Sequence, residues 1–315
     1  MFWHCEGMLF RQLEYFVALA REQHFARAAA ACYVSQPALS EAIRKLEQEL
    51  DVPLVRRGRT FQGLTPEGER LVLWARRIMA DHDALKHEIT ALKSGLAGQL
   101  RLGLIAAAST TSAILVDEFC ARHPLARVQI DSGLPSSEIV ARLQRFELDA
   151  GVIYLSGDDP SDLMVVPLYQ ERMVLIASDT LLAAPTTKLS WKELTILPMC
   201  LLKPAMRGRQ AVDRALAENG LSITPQIETD SVDALYAHVS TGRWASLVPH
   251  PWSYRFRLPA GLRVIPIAGE VVVSSVGLVT SAVEPGSVMG RALAAVAATL
   301  NMDDLFNPQS TGTTN

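Results

Sequence analysis

The chain has little cysteine, no long apolar run and no excess of positive charge. Each shortage excludes something. Four cysteines in 315 residues, Cys5, Cys32, Cys120 and Cys200, lie far apart, with no C-x-x-C pair and no His/Cys cluster. That argues against a disulfide framework or a zinc site and favours a reducing compartment. No stretch reaches the roughly 18 apolar residues that a membrane helix needs. The opening "MFWHCEGM" has neither a basic nor an apolar signal region, so no export signal is expected. Met8 is a candidate start, with the first seven residues an extension. The formal charge is −3, so any nucleic-acid contact must come from a local basic surface. Enzyme signatures are lacking as well: there is no G-x-S-x-G elbow, P-loop, G-x-G-x-x-G or H-E-x-x-H, and the seven histidines are scattered. His250, between two prolines, reads as structural.

What is present divides into regions. Hydrophobic residues make up 49% of the chain, enough for two or three domains with sizeable cores. Residues 9–65 carry short helices with tight turns. Leu13, Phe16, Val17 and Ala20 recur at helical spacing, and "HFARAAAAC" gives a second short helix. After a turn at Tyr33-Val34, Ser35 caps a third helix and Pro37 falls in its first turn, where a missing N–H costs nothing. Leu39, Ile43, Leu46 and Leu50 form its buried stripe, while Ser40, Arg44 and Lys45 face outward. "DVPLVRRGRTFQGLT" then reads as a two-stranded wing turning at Gly58.

This order is that of a helix-turn-helix, whose second helix enters the major groove by its first turn. Gln36 can pair with adenine and Ser35 can serve donor or acceptor edges. Ser40 and Pro37 belong to the same reading surface. Arg44, Lys45, Arg56, Arg57 and Arg59 can hold phosphates. The plainer alternative is a capped surface helix with a charged face. The two preceding helices and the basic wing favour DNA.

Residues 66–95 read as one long helix opened by Thr65 and Pro66. Leu71, Ile78, Leu85 and Leu92 repeat every seven residues, with Ala75, His82, Ile89 and Leu96 four later. Such a pattern predicts a dimer seam, the alternative being packing on its own domain. "SGLAGQ" reads as a hinge. Beyond it "LRLGLIAA", "RVQIDSG" and "LDAGVIY" read as strands separated by helices over residues 112–122 and 136–146. The alternation restarts with "LPMCLL", a helix over 207–219, "PQIETD", a helix over 231–241 and "WASLVPH". A strand "VVVSSVGLVTS" and helix "SVMGRALAAVAATL" close the chain. The expectation is two α/β lobes, residues 99–168 with 271–302 and residues 169–270, with a cleft between them and a disordered tail over 303–315.

The stretch "LEYFVALAREQHFARAAAACYVSQPALSEAIRKLEQELDVPLVRR" followed by "LTPEGE" resembles the LysR-type transcriptional regulators. The remainder is similar in architecture with looser motifs. Val55 stands where that family usually has Phe, and "RRGRTFQG" departs from its usual wing. The resemblance implies an α-helical winged helix-turn-helix domain, a dimerising linker helix and a two-lobed α/β domain like that of periplasmic binding proteins. It implies a sequence-specific regulator that is not an enzyme, needs no cofactor, and acts in the cytoplasm. Its partners would be double-stranded promoter DNA at a pseudo-palindromic site, a small-molecule effector, a second copy or a dimer of dimers, and RNA polymerase, with no membrane.

Effector residues are expected at strand ends and helix starts. Ala108, Ser109 and Thr110 qualify in "AASTTS", Pro135 and Ser136 in "GLPSSE", and Met206 and Arg207 in "KPAMRGR". Asp230 and Ser231 qualify in "TDSVDA", and Pro249 lies at a crossover. Ser and Thr at such places are ordinarily just caps. Hydroxyls, helix N-termini and Arg207 favour an organic anion, while Leu134, Met206 and Trp252 equally suit an aromatic ring. A solute-binding protein or an enzyme using the cleft, with the first helices serving only protein contacts, is the alternative.

Overall fold

The computed structural model describes residues 10–57, 61–157, 160–182, 186–255, 258–268, 273–283 and 286–306. The proposed start at Met8 and Cys5, the wing turn at Gly58 with Arg59, and positions 307–315 of the tail lie outside them.

Three helices open the chain: α1 (Phe10–Glu22), α2 (Phe25–Ala31) and α3 (Gln36–Leu50). Leu13, Phe16 and Leu19 of α1 meet Ala28 and Ala29 of α2 and Leu39, Ile43 and Leu46 of α3 in one sealed core. The small alanines let α2 approach closely, which no larger residue would permit. Leu50 leaves the expected stripe. It is exposed, because the helix ends there and Asp51 turns left-handed at φ 52°. β1 (Val55–Arg57) and β2 (Phe61–Leu64) pair antiparallel as the wing. The wing is tied down at both ends. Glu47 of α3 accepts from the Leu54 and Val55 N–H groups, at 3.0 and 3.2 Å. Thr65 donates to the Pro53 carbonyl at 2.7 Å and accepts from Gly68 N–H at 3.0 Å. Val55 is buried in this core, so its departure from the family residue changes packing rather than the exposed edge.

α4 (Pro66–Ser94) is a single 29-residue helix. Its first turns belong to the N-terminal core: Val72 and Ala75 are buried there and Leu71 packs against it. Ala75 is therefore not on a free seam. Trp74 beside it is 59% exposed, and Ile78, Leu85 and Ile89 continue that exposed apolar line. His82 turns instead against Phe10, ring centroids 4.3 Å apart. Leu96 is buried in the next domain's core, and the Leu92 side chain lies outside the described residues. The expected hinge shrinks to Gly95 (φ 89°) and Leu96, since β3 (Ala97–Leu104) starts at once.

A 3-10 turn at Ala106–Ser109 leads to α5 (Ser112–Arg122), β4 (Leu125–Ser132), α6 (Ser136–Gln144) and β5 (Ala150–Tyr154). β6 (Leu163–Ser178) follows, a strand that the sequence patterning missed. Beyond it come α7 (Trp191–Leu194), β7 (Cys200–Leu202), α8 (Arg207–Glu218), β8 (Ile227–Thr229), α9 (Val232–Ser240), β9 (Ser246–Pro249), α10 (Trp252–Arg255) and β10 (Leu262–Pro266). The chain closes with β11 (Val273–Ser281), α11 (Val288–Thr299) and α12 (Met302–Phe306).

β6 joins the lobes. Its residues Leu163–Arg172 pair with β11, which pairs in turn with β5, then β3 and β4. Its residues from Met173 to Ser178 pair with β9 and β10. The crossing thus falls between Arg172 and Met173 rather than at residues 168–169. β7 and β8 pair parallel and join β9 through a bridge from Met199 to Ala245. The tail also differs from expectation up to residue 306. Phe306 is buried edge-on against Tyr169, centroids 5.0 Å apart, because α12 packs on β6. Among the described residues, no helix is long and apolar enough to cross a membrane.

Gly68 sits in the first turn of α4 where any Cβ would overlap the Leu54 carbonyl oxygen. Gly68→Ala should therefore cost about 1–3 kcal/mol of N-terminal domain stability, read as a lowered melting transition. An unchanged melt would show that the wing and α4 do not meet as described.

Candidate DNA interface and effector cleft

The N-terminal site is built on the start of α3. Ser35 is its N-cap, φ −74° and ψ 148°, accepting from Ala38 N–H at 3.4 Å. Ser35, Gln36 and Pro37 are exposed together at this helix start, with Ser40 half-buried one turn on. Lys45 and Arg56 are also exposed. Arg57 lies in β1, with its side chain outside the described residues. Arg44 is exposed but engaged: its guanidinium forks onto Glu41 at 2.6 and 2.8 Å. That contact holds the Glu41 carboxyl below the usual carboxylate range. A phosphate would have to share or displace it. The sequence reading passed over Tyr33 as a turn residue. It is 96% exposed with φ 54°, so its ring stands clear of the core beside the capped helix start.

The second site is a cleft of about 390 Å³ between the lobes. Of the expected residues, Pro135, Ser136, Met206, Arg207 and Pro249 line it, as do Leu134 and Trp252. Two helices point their N-termini there, α6 behind Pro135 and α8 behind Met206, and neither has a side-chain cap. Their first N–H groups and positive dipole ends are thus available to an anion. The Ser136 hydroxyl accepts from Tyr154 N–H at 3.3 Å, which leaves its own O–H to donate. Ile105, Leu202 and Met173 supply apolar walls. Trp252 is fixed by its Nε1–H donating to the Ala107 carbonyl at 3.0 Å, a bond from one lobe to the other.

Other expected residues do not reach the cleft. Ala108 is sealed in the first lobe's core. Ser109 Oγ folds back onto the Ala106 carbonyl at 2.6 Å, and Thr110 does not line the cleft. The 3-10 turn is the reason: it delays α5 by several residues, so Ile105, Ala106 and Ala107 face the cleft instead. Asp230 is bound by Lys203 at 2.6 Å on the surface, and Ser231 caps α9 by accepting from Ala234 N–H at 3.2 Å. Neither lines the cleft.

In a small recess that shares Tyr154 and Arg207 with the cleft lies a group that sequence reasoning missed. Glu171 on β6 is 4% exposed. The Tyr154 hydroxyl donates to it, and the Arg207 guanidinium lies over the Tyr154 ring, 4.7 Å from its centroid. Burial pushes the Glu171 carboxyl up to about 7, against the opposing pull of Tyr154 and Arg207. Burial likewise raises the Tyr154 and Tyr169 hydroxyls, so neither ionises near neutrality. No sequence signal marked Glu171, because nothing in "LYQERMV" shows which residue faces inward. Cys200 is buried in β7, and burial pushes its thiol up, which keeps it protonated. Among the described residues, no group of three or more His, Cys, Asp or Glu is placed to hold a metal ion.

Both parts of the chain match known proteins. Residues 10–69 match a family described as "Bacterial regulatory helix-turn-helix protein, lysR family", and residues 93–300 match "LysR substrate binding domain". The HTH-type transcriptional regulator YnfL of Escherichia coli is 31% identical over 275 residues, 85% of this chain and 91% of that protein. The SDS degradation transcriptional activation protein of a Pseudomonas species is 34% identical over 250 residues, 76% of this chain and 78% of that one. A full-length OxyR variant from Pseudomonas aeruginosa superposes with a TM-score of 0.72 at 25% identity, covering 94% of this chain and 99% of that one. The helix-turn-helix match over residues 10–69 and the substrate-binding-domain match over 93–300, with a relative 31% identical over 85% of this chain, place it in the LysR family of DNA-binding transcriptional regulators.

Proposed function

We propose that the exposed start of α3 reads base edges and that a small amphipathic organic anion in the lobe cleft controls the regulator. The observation that carries the ligand class is the convergence of two uncapped helix N-termini, α6 and α8, with Arg207 on one apolar-walled cleft. Such a site gives an anionic head fixed donors and an apolar body a desolvated wall. The name of the Pseudomonas relative ties that protein to breakdown of an alkyl sulfate, which also has one anionic group on an apolar chain.

In this reading Ser35 and Gln36 meet bases, with Ser40 at the edge of the contact. Lys45, Arg56, Arg57 and Arg59 hold phosphates, and Arg44 joins them when it leaves Glu41. The exposed line Trp74, Ile78, Leu85 and Ile89 pairs with a second copy, so that two reading heads meet a pseudo-palindromic site. Dimers pair further into tetramers, and the bound regulator contacts RNA polymerase in the cytoplasm. The ligand acts by binding one lobe arrangement better than the other.

Gln36→Ala should relax preference at one base position per half-site, a difference of about 1–3 kcal/mol between right and wrong base, measured on a panel of site variants. Arg56→Ala should weaken all sequences alike and reduce the salt slope by about one. An equal loss across all sequences for Gln36→Ala would remove it from the reading role. Arg207→Ala should abolish the response of DNA binding to organic anions while leaving ligand-free DNA affinity in place. A variant that still responds would refute the anion reading.

A further inference from the structure

Glu171 has no role in holding the fold that its surroundings explain. It sits where three parts of the molecule meet: β6 at the crossing, Tyr154 at the end of β5 in the first lobe, and Arg207 at the start of α8 in the second. One carboxylate oxygen accepts from Tyr154. The other, Oε2, is buried with no hydrogen-bond partner among the described residues. A recess of about 10 Å³ lined by Glu171, room for one water-sized group, shares Tyr154, Met173, Arg207 and Gly208 with the effector cleft. A buried carboxylate with an orphaned oxygen is costly as an anion, but much less so once that oxygen carries a proton.

Among the described residues, the remaining neighbours supply no second counter-charge. Ser274 of β11 stands opposite Glu171 in the strand pairing. Tyr169, two residues back on β6, shares its hydroxyl with Thr111 at 2.9 Å. The flanking peptides engage the other ionisable groups: Gln170 N–H donates to Asp303 at 2.9 Å and Arg172 N–H to His250 Nδ1 at 3.1 Å. Among the described residues, Arg207 is thus the one cation acting on Glu171, and it also lines the cleft.

We propose that the effector is a monoanion with an apolar body that binds together with one proton, and that Glu171 carries the proton. The inference rests on the anion reading of the cleft. The ligand's anionic group takes over Arg207 and the N-termini of α6 and α8. Glu171, now beside one negative group and with its one cation engaged by that group, takes a proton from solvent at Oε2. No other bond forms or breaks, and the cleft gains no net charge. The uptake links the ligand to the crossing strand as well as to the two lobes it touches, because the protonated and ionised forms of Glu171 favour different positions of Arg207 over Tyr154.

The test is the affinity of the full-length protein for phenylacetate, isovalerate and butyl sulfate between pH 6 and 9, followed by tryptophan fluorescence and calorimetry. Butyl sulfate stays ionised throughout, so a proton taken up with it goes to the protein. The Glu171 carboxyl lies at about 7 in the empty protein. Affinity should therefore be level below that pH and fall toward about tenfold per unit above it. Calorimetry in buffers of different ionisation heat should find up to one proton taken up per ligand. Glu171→Gln, which mimics the protonated form, should bind at the tight limit at every pH with no proton uptake.

Stability supplies an independent readout. A carboxyl raised from 4.5 to about 7 stabilises the fold most below 4.5, and that contribution is lost as pH rises through about 7. The Gln variant should lack this decline in melting temperature. Wild-type binding that depends on Arg207 but not on pH would overturn proton uptake and leave the anion reading intact. Failure of all three anions to bind at pH 6 would overturn both.

Discussion

The architecture depends on one strand serving two lobes. β6 gives its first ten residues, Leu163–Arg172, to the sheet of one lobe and Met173–Ser178 to the other. The chain crosses between the lobes here and again between β10 and β11, so the angle between lobes answers to contacts close to these crossings. Glu171, Tyr154 and Arg207 are such contacts, and the Trp252 bond to the Ala107 carbonyl is another. Each links elements that separate if the lobes part.

The reading head is built by different means and needs nothing from the lobes to hold its shape. Its core closes on alanines and leucines, and its wing hangs on Glu47 and Thr65. α4 carries the mechanical connection. It is anchored in the head through Val72 and Ala75 and reaches the first lobe through Arg76, paired with Glu147 at 2.6 Å. In the proposed control, a shift of the lobe would pass along one continuous helix. The overall charge of −3 leaves room for a local basic surface, since Arg44 and Lys45 of α3 and Arg56 of the wing are exposed.

The sequence was most legible where local chemistry decides structure. Ser35, Pro37, Thr65 and Pro66 mark the starts of α3 and α4 by caps and by proline's fixed φ, and apolar spacing marked α1 and α2. The strand–helix alternation of the lobes was legible for the same reason. What escaped depended on distant partners. Ala75 and Trp74 are neighbours in one heptad, and only packing against α1 decides which is buried. The 3-10 turn at Ala106–Ser109 carries no signal distinct from a helix start, so Ala108, Ser109 and Thr110 looked like cleft residues. Asp230 and Ser231 mark a helix start correctly, but that start faces away from the cleft. β6 alternates in burial over Tyr169–Met173, but its second half is buried on both faces, so no two-residue pattern ran the length of the strand. Glu171 within it was therefore not recognised as a buried acid.

The central claim is that the first helices form a sequence-reading head. Its most direct test is selection of genomic fragments bound by the full-length protein at two salt concentrations, followed by footprinting of the fragments recovered. The account predicts a shared pseudo-palindromic site, protected as two half-sites on one face of the duplex and retained over bulk DNA as salt rises. Recovered fragments with no common site, and affinity equal to that for scrambled DNA, would contradict it.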